Sequence, residues 1–136
     1  MINIPLKVKK LVHRWGTRNP FLICKYLKII IIYADLGKIK GCHKKILGKN
    51  VIWINNSLPK RDKKIVCAHE LGHCLFHSNK TMQFLLEHKI TKVSLCEKQA
   101  NKFTALLLQE ENMEEYSHET TEIDEKIWDE FNEYLY

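Results

Sequence analysis

Apolar residues near the start of the chain recur at helical spacing. Ile4, Val8, Leu11, Val12 and Trp15 share one face, and Lys7, Lys10 and Arg14 lie off it. That is the pattern of a helix packed by one side. Gly16 follows as a stop signal, since glycine readily takes the left-handed turn that ends a helix. Asn19-Pro20 reads as a cap followed by a first-turn proline, so a second helix is predicted over about 20–28. The period then changes. Ile29 to Tyr33 is β-branched and apolar, Asp35-Leu36-Gly37 is a turn, and Gly41–Leu47 and Val51–Asn55 flank Gly48-Lys49-Asn50 as a hairpin. Val51, Ile52, Trp53 and Ile54 are all apolar, so this strand should be covered on both faces.

Helical spacing returns after Asn55. Ser57 is the expected N-cap of a helix over roughly 58–76, with Pro59 in the first turn and Asp62 near its positive end. Ile65, Ala68, Gly72 and Leu75 are its predicted core face. Residues 79–93 carry little pattern; Met82, Phe84, Leu85 and Leu86 suggest a short helix or a packed loop. From about Leu95 a clearer helix runs to Leu108, with Ala100, Phe103, Thr104 and Leu107 on one face. An acidic stretch over 110–122 leads to a last amphipathic helix marked by Ile123, Ile127, Phe131, Tyr134 and Leu135.

These elements describe an α+β chain of one domain, as 136 residues suggest. The main domain is expected over 1–110, with 111–136 an acidic segment packed on it. No apolar run approaches the roughly 18 residues of a membrane span, and the N-terminus has no continuous apolar core of a secretory signal. A soluble, cytoplasmic protein is expected. The five cysteines form no C-x-x-C pair, which argues against a disulfide framework and against a cysteine-rich metal site.

Charge is divided unevenly. Residues 1–68 hold 16 Lys+Arg and two acids, and residues 69–136 hold six Lys and 14 acids. The balances of +14 and −8 sum to the net +6. A basic half can attract nucleic acid, but lysines outnumber arginines and no aromatic–basic interleaving accompanies it, so mutual attraction of the halves is the favoured reading. Two short helices joined at a glycine have the outline of a helix-turn-helix, yet Phe-Leu-Ile-Cys-Lys-Tyr-Leu offers few side chains for base edges.

The chemistry lies in His69-Glu70-Leu71-Gly72-His73. On a helix the two histidines stand one turn apart on one face and can share a zinc ion, with Glu70 beside them as general base. Val66, Cys67 and Ala68 before the motif, and Cys74, Leu75 and Phe76 after it, are uncharged, so the helix can exclude bulk water. A catalytic zinc takes a third protein ligand. A metzincin would have a third histidine at 79, which here is Asn79. His77 lies eight residues beyond His69, about 12 Å along a helix axis, too far to share the ion. It reads instead as a helix C-terminal residue or a group supporting a ligand. Glu87, His88, Cys96 and Glu97 remain as candidates. Glu97 can reach the ion if small Ala100, one turn on, lets its helix approach closely, and the spacing alone leaves the choice open.

The motif and the segment Glu97-Lys98-Gln99-Ala100-Asn101-Lys102-Phe103-Thr104-Ala105-Leu106-Leu107 resemble the ImmA/IrrE metallopeptidases, with Thr104 where alanine is usual. The resemblance extends to Val-Ile-Trp-Ile-Asn-Asn before the motif helix and covers roughly 1–108. It implies a small zincin-like fold in which the motif helix packs on a second ligand-bearing helix beside a short three-stranded sheet. It also implies a zinc endopeptidase with His69, His73 and Glu97 as ligands and Glu70 as the catalytic base. The implied partner is a helix-turn-helix repressor whose cleavage derepresses genes of a mobile element or a stress response. Two rivals keep the same residues: a zinc-binding regulator that recognises a repressor without cutting it, and a basic DNA-binding protein with a structural metal.

Overall fold

The computed structural model describes residues 2–77 and 90–109, with side chains from 95 in the second stretch. The predicted elements at 79–86 and beyond 110 lie outside the described residues.

Helix α1 spans Ile4–Trp15 and buries Ile4 and Val8. Asn3 caps it, accepting a hydrogen bond from the Leu6 amide at 3.2 Å, and Gly16 ends it at φ +66°. Helix α2 spans Pro20–Tyr26, capped by Asn19 Oδ1 on the Phe21 amide at 2.9 Å. It stops short of the predicted Lys28. Lys28 is left-handed at φ +60°, and the Ile29 amide folds back to the Cys24 carbonyl. That reversal feeds the chain straight into the sheet.

Three strands follow: β1 Ile30–Ala34, β2 Gly41–Ile46 and β3 Lys49–Asn55. Their order is β1-β3-β2, with β1 parallel and β2 antiparallel to β3. The expected double cover of β3 follows from its central place: Val51, Ile52 and Ile54 are buried and Trp53 partly so. The hairpin is tighter than predicted. Ile46 pairs with Lys49, so Lys49 and Asn50 belong to the strand and only Leu47 and Gly48 turn. Both have positive φ, +51° and +79°, the twist a two-residue hairpin needs.

Helix α3 spans Lys60–Phe76, and helix α4 spans Ile90–Leu108. Pro59, not Ser57, stands at the N-cap of α3, with no side-chain cap bond. Ser57 is drawn away: its amide and hydroxyl both donate to Asn55 Oδ1. Asn55 in turn donates to the Gly37 and Ile39 carbonyls, both at 3.0 Å. This buried amide ties the end of β3 to the β1–β2 connection. Ile65, Ala68 and Gly72 face inward as predicted, but Leu75 is exposed. Val66, Cys67 and Leu71 complete the buried surface of α3 instead.

The core lies where α3 meets both the sheet and α4. It joins Ile52 and Ile54 of β3, Ile23 and Cys24 of α2, Ile65, Val66, Cys67, Ala68 and Leu71 of α3, and Phe103, Leu107 and Leu108 of α4. Ala100, Phe103, Thr104 and Leu107 form the inward face of α4, as predicted. The structure is therefore a small mixed α+β fold. Among the described residues, no helix is long and apolar enough to cross a membrane.

Candidate metal centre

Two close approaches build the site. On α3, a Cβ at Gly72 would stand 3.0 Å from Phe103 Cδ1 and 3.4 Å from the Ala100 Cα. The glycine and the alanine let α3 and α4 cross almost backbone to backbone. That crossing brings Glu97, one turn before Ala100, over the histidine pair. On the other side, a Cβ at Gly41 would meet Val66 Cγ1 at 2.4 Å and the Trp53 carbonyl at 3.0 Å. β2 therefore lies directly against α3 there, and two residues on, the same strand face carries His43.

The predicted ligand atoms converge. His69 Nε2 and His73 Nε2 are 3.1 Å apart. Glu97 spans them, with Oε2 at 3.0 Å from His69 Nε2 and Oε1 at 2.9 Å from His73 Nε2. One ligand atom from each residue lies within 4.8 Å of the others, making this a three-residue set that can hold a metal ion. Of the other third-ligand candidates, Glu87 and His88 lie outside the described residues, and Cys96 is not in the set. Two imidazole nitrogens and one carboxylate facing one point are a donor set suited to zinc.

The electrostatics agree. Hydrogen bonds from His69 and then His73 hold the Glu97 carboxyl well below the usual carboxylate range. Burial disfavours a charge on His69, but Glu97 and Glu70 outweigh it and raise its pKa. The site is open on one side: His73 is buried, while the Glu97 side chain is 50% exposed.

Glu70 is buried beside the ligands, and its Oε2 lies 2.5 Å from His43 Nδ1. An ionised carboxylate only accepts, so the ring nitrogen donates. The His43 ring also stacks on His73, with centroids 5.0 Å apart and 15° between planes. His43 was not among the candidates read from the sequence. One signal was available: Gly41 and His43 share the inward parity of a strand otherwise rich in lysine. Tyr26, His77, Tyr116 and His118 are the residues whose chemistry would suit a second electrophile beside the ion. Tyr26 instead stacks on Trp15 with centroids 5.2 Å apart. His77 bonds to His73 from behind. Tyr116 and His118 lie outside the described residues. Burial also lowers the pKa of His77.

The cysteines stand apart from this set. Cys24 and Cys67 are buried, with Sγ atoms 3.9 Å apart, and all five thiols are free. Burial pushes the Cys74 thiol up to about 12.

A His-Glu-x-x-His helix crossed by a carboxylate-bearing helix defines a candidate metal centre of the kind metallopeptidases use. The chain belongs to the M78 peptidase family, matching the model for its IrrE N-terminal-like domain over residues 24–134. That match runs beyond 108, where the resemblance read from the sequence ended. The chain is 34% identical over 110 residues to Metallopeptidase ImmA of Bacillus subtilis strain 168, covering 79% of this chain and 63% of that protein. It is 32% identical over 106 residues to immunity region protein 2 of Bacillus phage phi105, covering 77% of this chain and 67% of that protein. The chain thus spans about two thirds of the length of these relatives. No solved structure matches it.

Proposed function

We propose that this protein is a zinc-dependent endopeptidase that cleaves a helix-turn-helix repressor. The observation that carries the reading is the convergence of His69, His73 and Glu97 beside a buried Glu70. Membership of a peptidase family and likeness to two relatives, one named a metallopeptidase and one an immunity region protein, support it.

His69, His73 and Glu97 would hold the ion. A zinc there would lower the pKa of a water and withdraw charge from a peptide carbonyl. Glu70 supplies the proton transfer. His43 occupies its Oε2, which leaves the other oxygen to take a proton from the attacking water and return it to the departing amine. The stack of His43 on His73 keeps the base and the ligand at a fixed separation. β2 has β3 as its one strand partner among the described residues, so its outer edge can pair with an extended substrate.

The test is co-expression with the repressor encoded nearest to this gene. Wild type is expected to yield two repressor fragments by mass. Glu70→Gln should leave the repressor whole while still binding zinc. Repressor left intact by the zinc-loaded wild type would remove the proteolytic reading. Derepression persisting with Glu70→Gln would favour the non-cutting regulator.

A further inference from the structure

The outer rim of β2 is strongly basic. From Leu36 to Pro59 the chain has five lysines and no acid. Lys44 and Lys45 are exposed, and neither pairs with an acid among the described residues. The backbone fixes which groups would meet a strand on that rim. The Lys40 carbonyl accepts from the Asn55 amide at 2.9 Å. Along an antiparallel pair, residues that bond to the neighbour alternate with residues that do not. Cys42 and Lys44 therefore turn their backbone groups toward β3, and Gly41, His43 and Lys45 turn theirs outward. The side chains of these three share one face, the face that lies on α3 at Gly41 and reaches Glu70 at His43. Lys45 thus has its amide and carbonyl open to the rim. Its side chain leaves the strand on the face of the metal centre, about 7 Å beyond His43.

We propose that the site takes an extended peptide paired along the β2 rim, with an acidic side chain opposite Lys45, two residues from the one opposite His43. This rests on the reading of the chain as a peptidase and names the class of substrate that it selects. Opposite charges facing each other across neighbouring strands attract, and like charges repel. Lysine on a sheet edge also keeps off strands that cannot answer its charge. The two effects together make a rim that turns basic segments away and admits a segment with an acid in the right place. The carboxylates already at the site are engaged: Glu70 with His43, and Glu97 with both His69 and His73. Lys45 is left to meet a charge brought by the substrate. Lys44 projects from the opposite face and adds to the field without facing the centre. A repressor would then be cut in an extended stretch with an acid close to the scissile bond, not within a helix.

Binding tests the preference without cutting. Full-length, zinc-loaded Glu70→Gln protein is titrated into three fluorescent peptides of one host sequence that carry glutamate, glutamine or lysine at alternate positions, and anisotropy is read at low salt. The glutamate peptide is expected to bind about 3–20-fold more tightly than the lysine peptide, with the glutamine peptide between them. Lys45→Glu should reverse that order. Lys9→Glu, the same change of net charge at an exposed position of α1, should leave it as it was. Equal binding of the three peptides, binding of none, or an equal effect of the two substitutions would overturn the proposal. Cutting gives the second readout. Zinc-loaded wild type, given a pool of peptides from a digested proteome, should cut where Asp or Glu stands at one fixed distance from the bond, as read by mass spectrometry. Lys45→Glu should move that preference to Lys or Arg. Cuts with no acid enriched near them would also overturn it. A glutamate preference in binding with no cutting by wild type would instead sink the peptidase reading and leave the preference of the rim standing.

Discussion

Gly41 is a single residue on which the geometry of the base depends. Its missing Cβ leaves room for Val66 and the Trp53 carbonyl, and that contact sets how near β2 comes to α3. The His43–Glu70 hydrogen bond spans the same gap. Gly41→Ala should therefore cost about 1–3 kcal/mol by overpacking, seen as a lower denaturant midpoint. It should also reduce turnover more than zinc affinity, because it displaces the partner of Glu70 and none of the three proposed ligands. Equal stability and activity in Gly41→Ala would mean that β2 has slack at this point. The same residue explains why His43 was hidden in the sequence. A histidine among Lys44 and Lys45 on a hairpin looks like one more exposed polar group. It becomes a candidate only when strand parity and a close approach at Gly41 are known together. His69, Glu70 and His73 need no such knowledge, because their relation is set by one helical turn.

At the scale of elements, local chemistry set most boundaries and long-range partners moved the rest. Asn19-Pro20 and Gly16 act within a few residues of themselves, and the ends they predict are the ends observed. Ser57 has the chemistry of a cap, but Asn55 captures its hydroxyl and amide, so α3 begins later. The hairpin turn shifted for a different reason. Register is fixed across strands, and pairing Ile46 with Lys49 leaves two residues to turn. One of them is Leu47, exposed and held at φ +51°. A left-handed conformation costs a residue with a branched or bulky side chain about 1–2 kcal/mol, and asparagine tolerates it better. Leu47→Asn should raise the midpoint of thermal unfolding, by up to about 1 kcal/mol in stability. A lower midpoint would show that Leu47 makes a contact worth more than the relief.

For the whole molecule, the candidate centre ties two helices that meet at Gly72 and Ala100. A metal held by both should bind the folded protein and not the unfolded chain. Zinc at 100 times its dissociation constant should then stabilise the fold by about 2.7 kcal/mol, with a melting temperature that rises with zinc concentration. Glu97→Ala should abolish most of that rise. A melting temperature indifferent to zinc would mean that these residues do not hold it. The division of charge belongs to this scale as well. The basic half is largely described, while most of the acidic residues lie beyond it. α2 buries Ile23 and Cys24 in the core.

What the chain determined alone was whatever acts over a few residues: helical and strand periods, caps at Asn19 and Gly16, and the one-turn spacing of His69 and His73. Glu97 was nominated by its small neighbour and by resemblance to a family, since no local rule joins residues 28 positions apart. Only the tertiary structure brought that carboxylate across α3 and laid His43 on Glu70. These contacts depend on how closely two backbones can approach, a property of helix crossing and strand register that no short stretch of sequence contains.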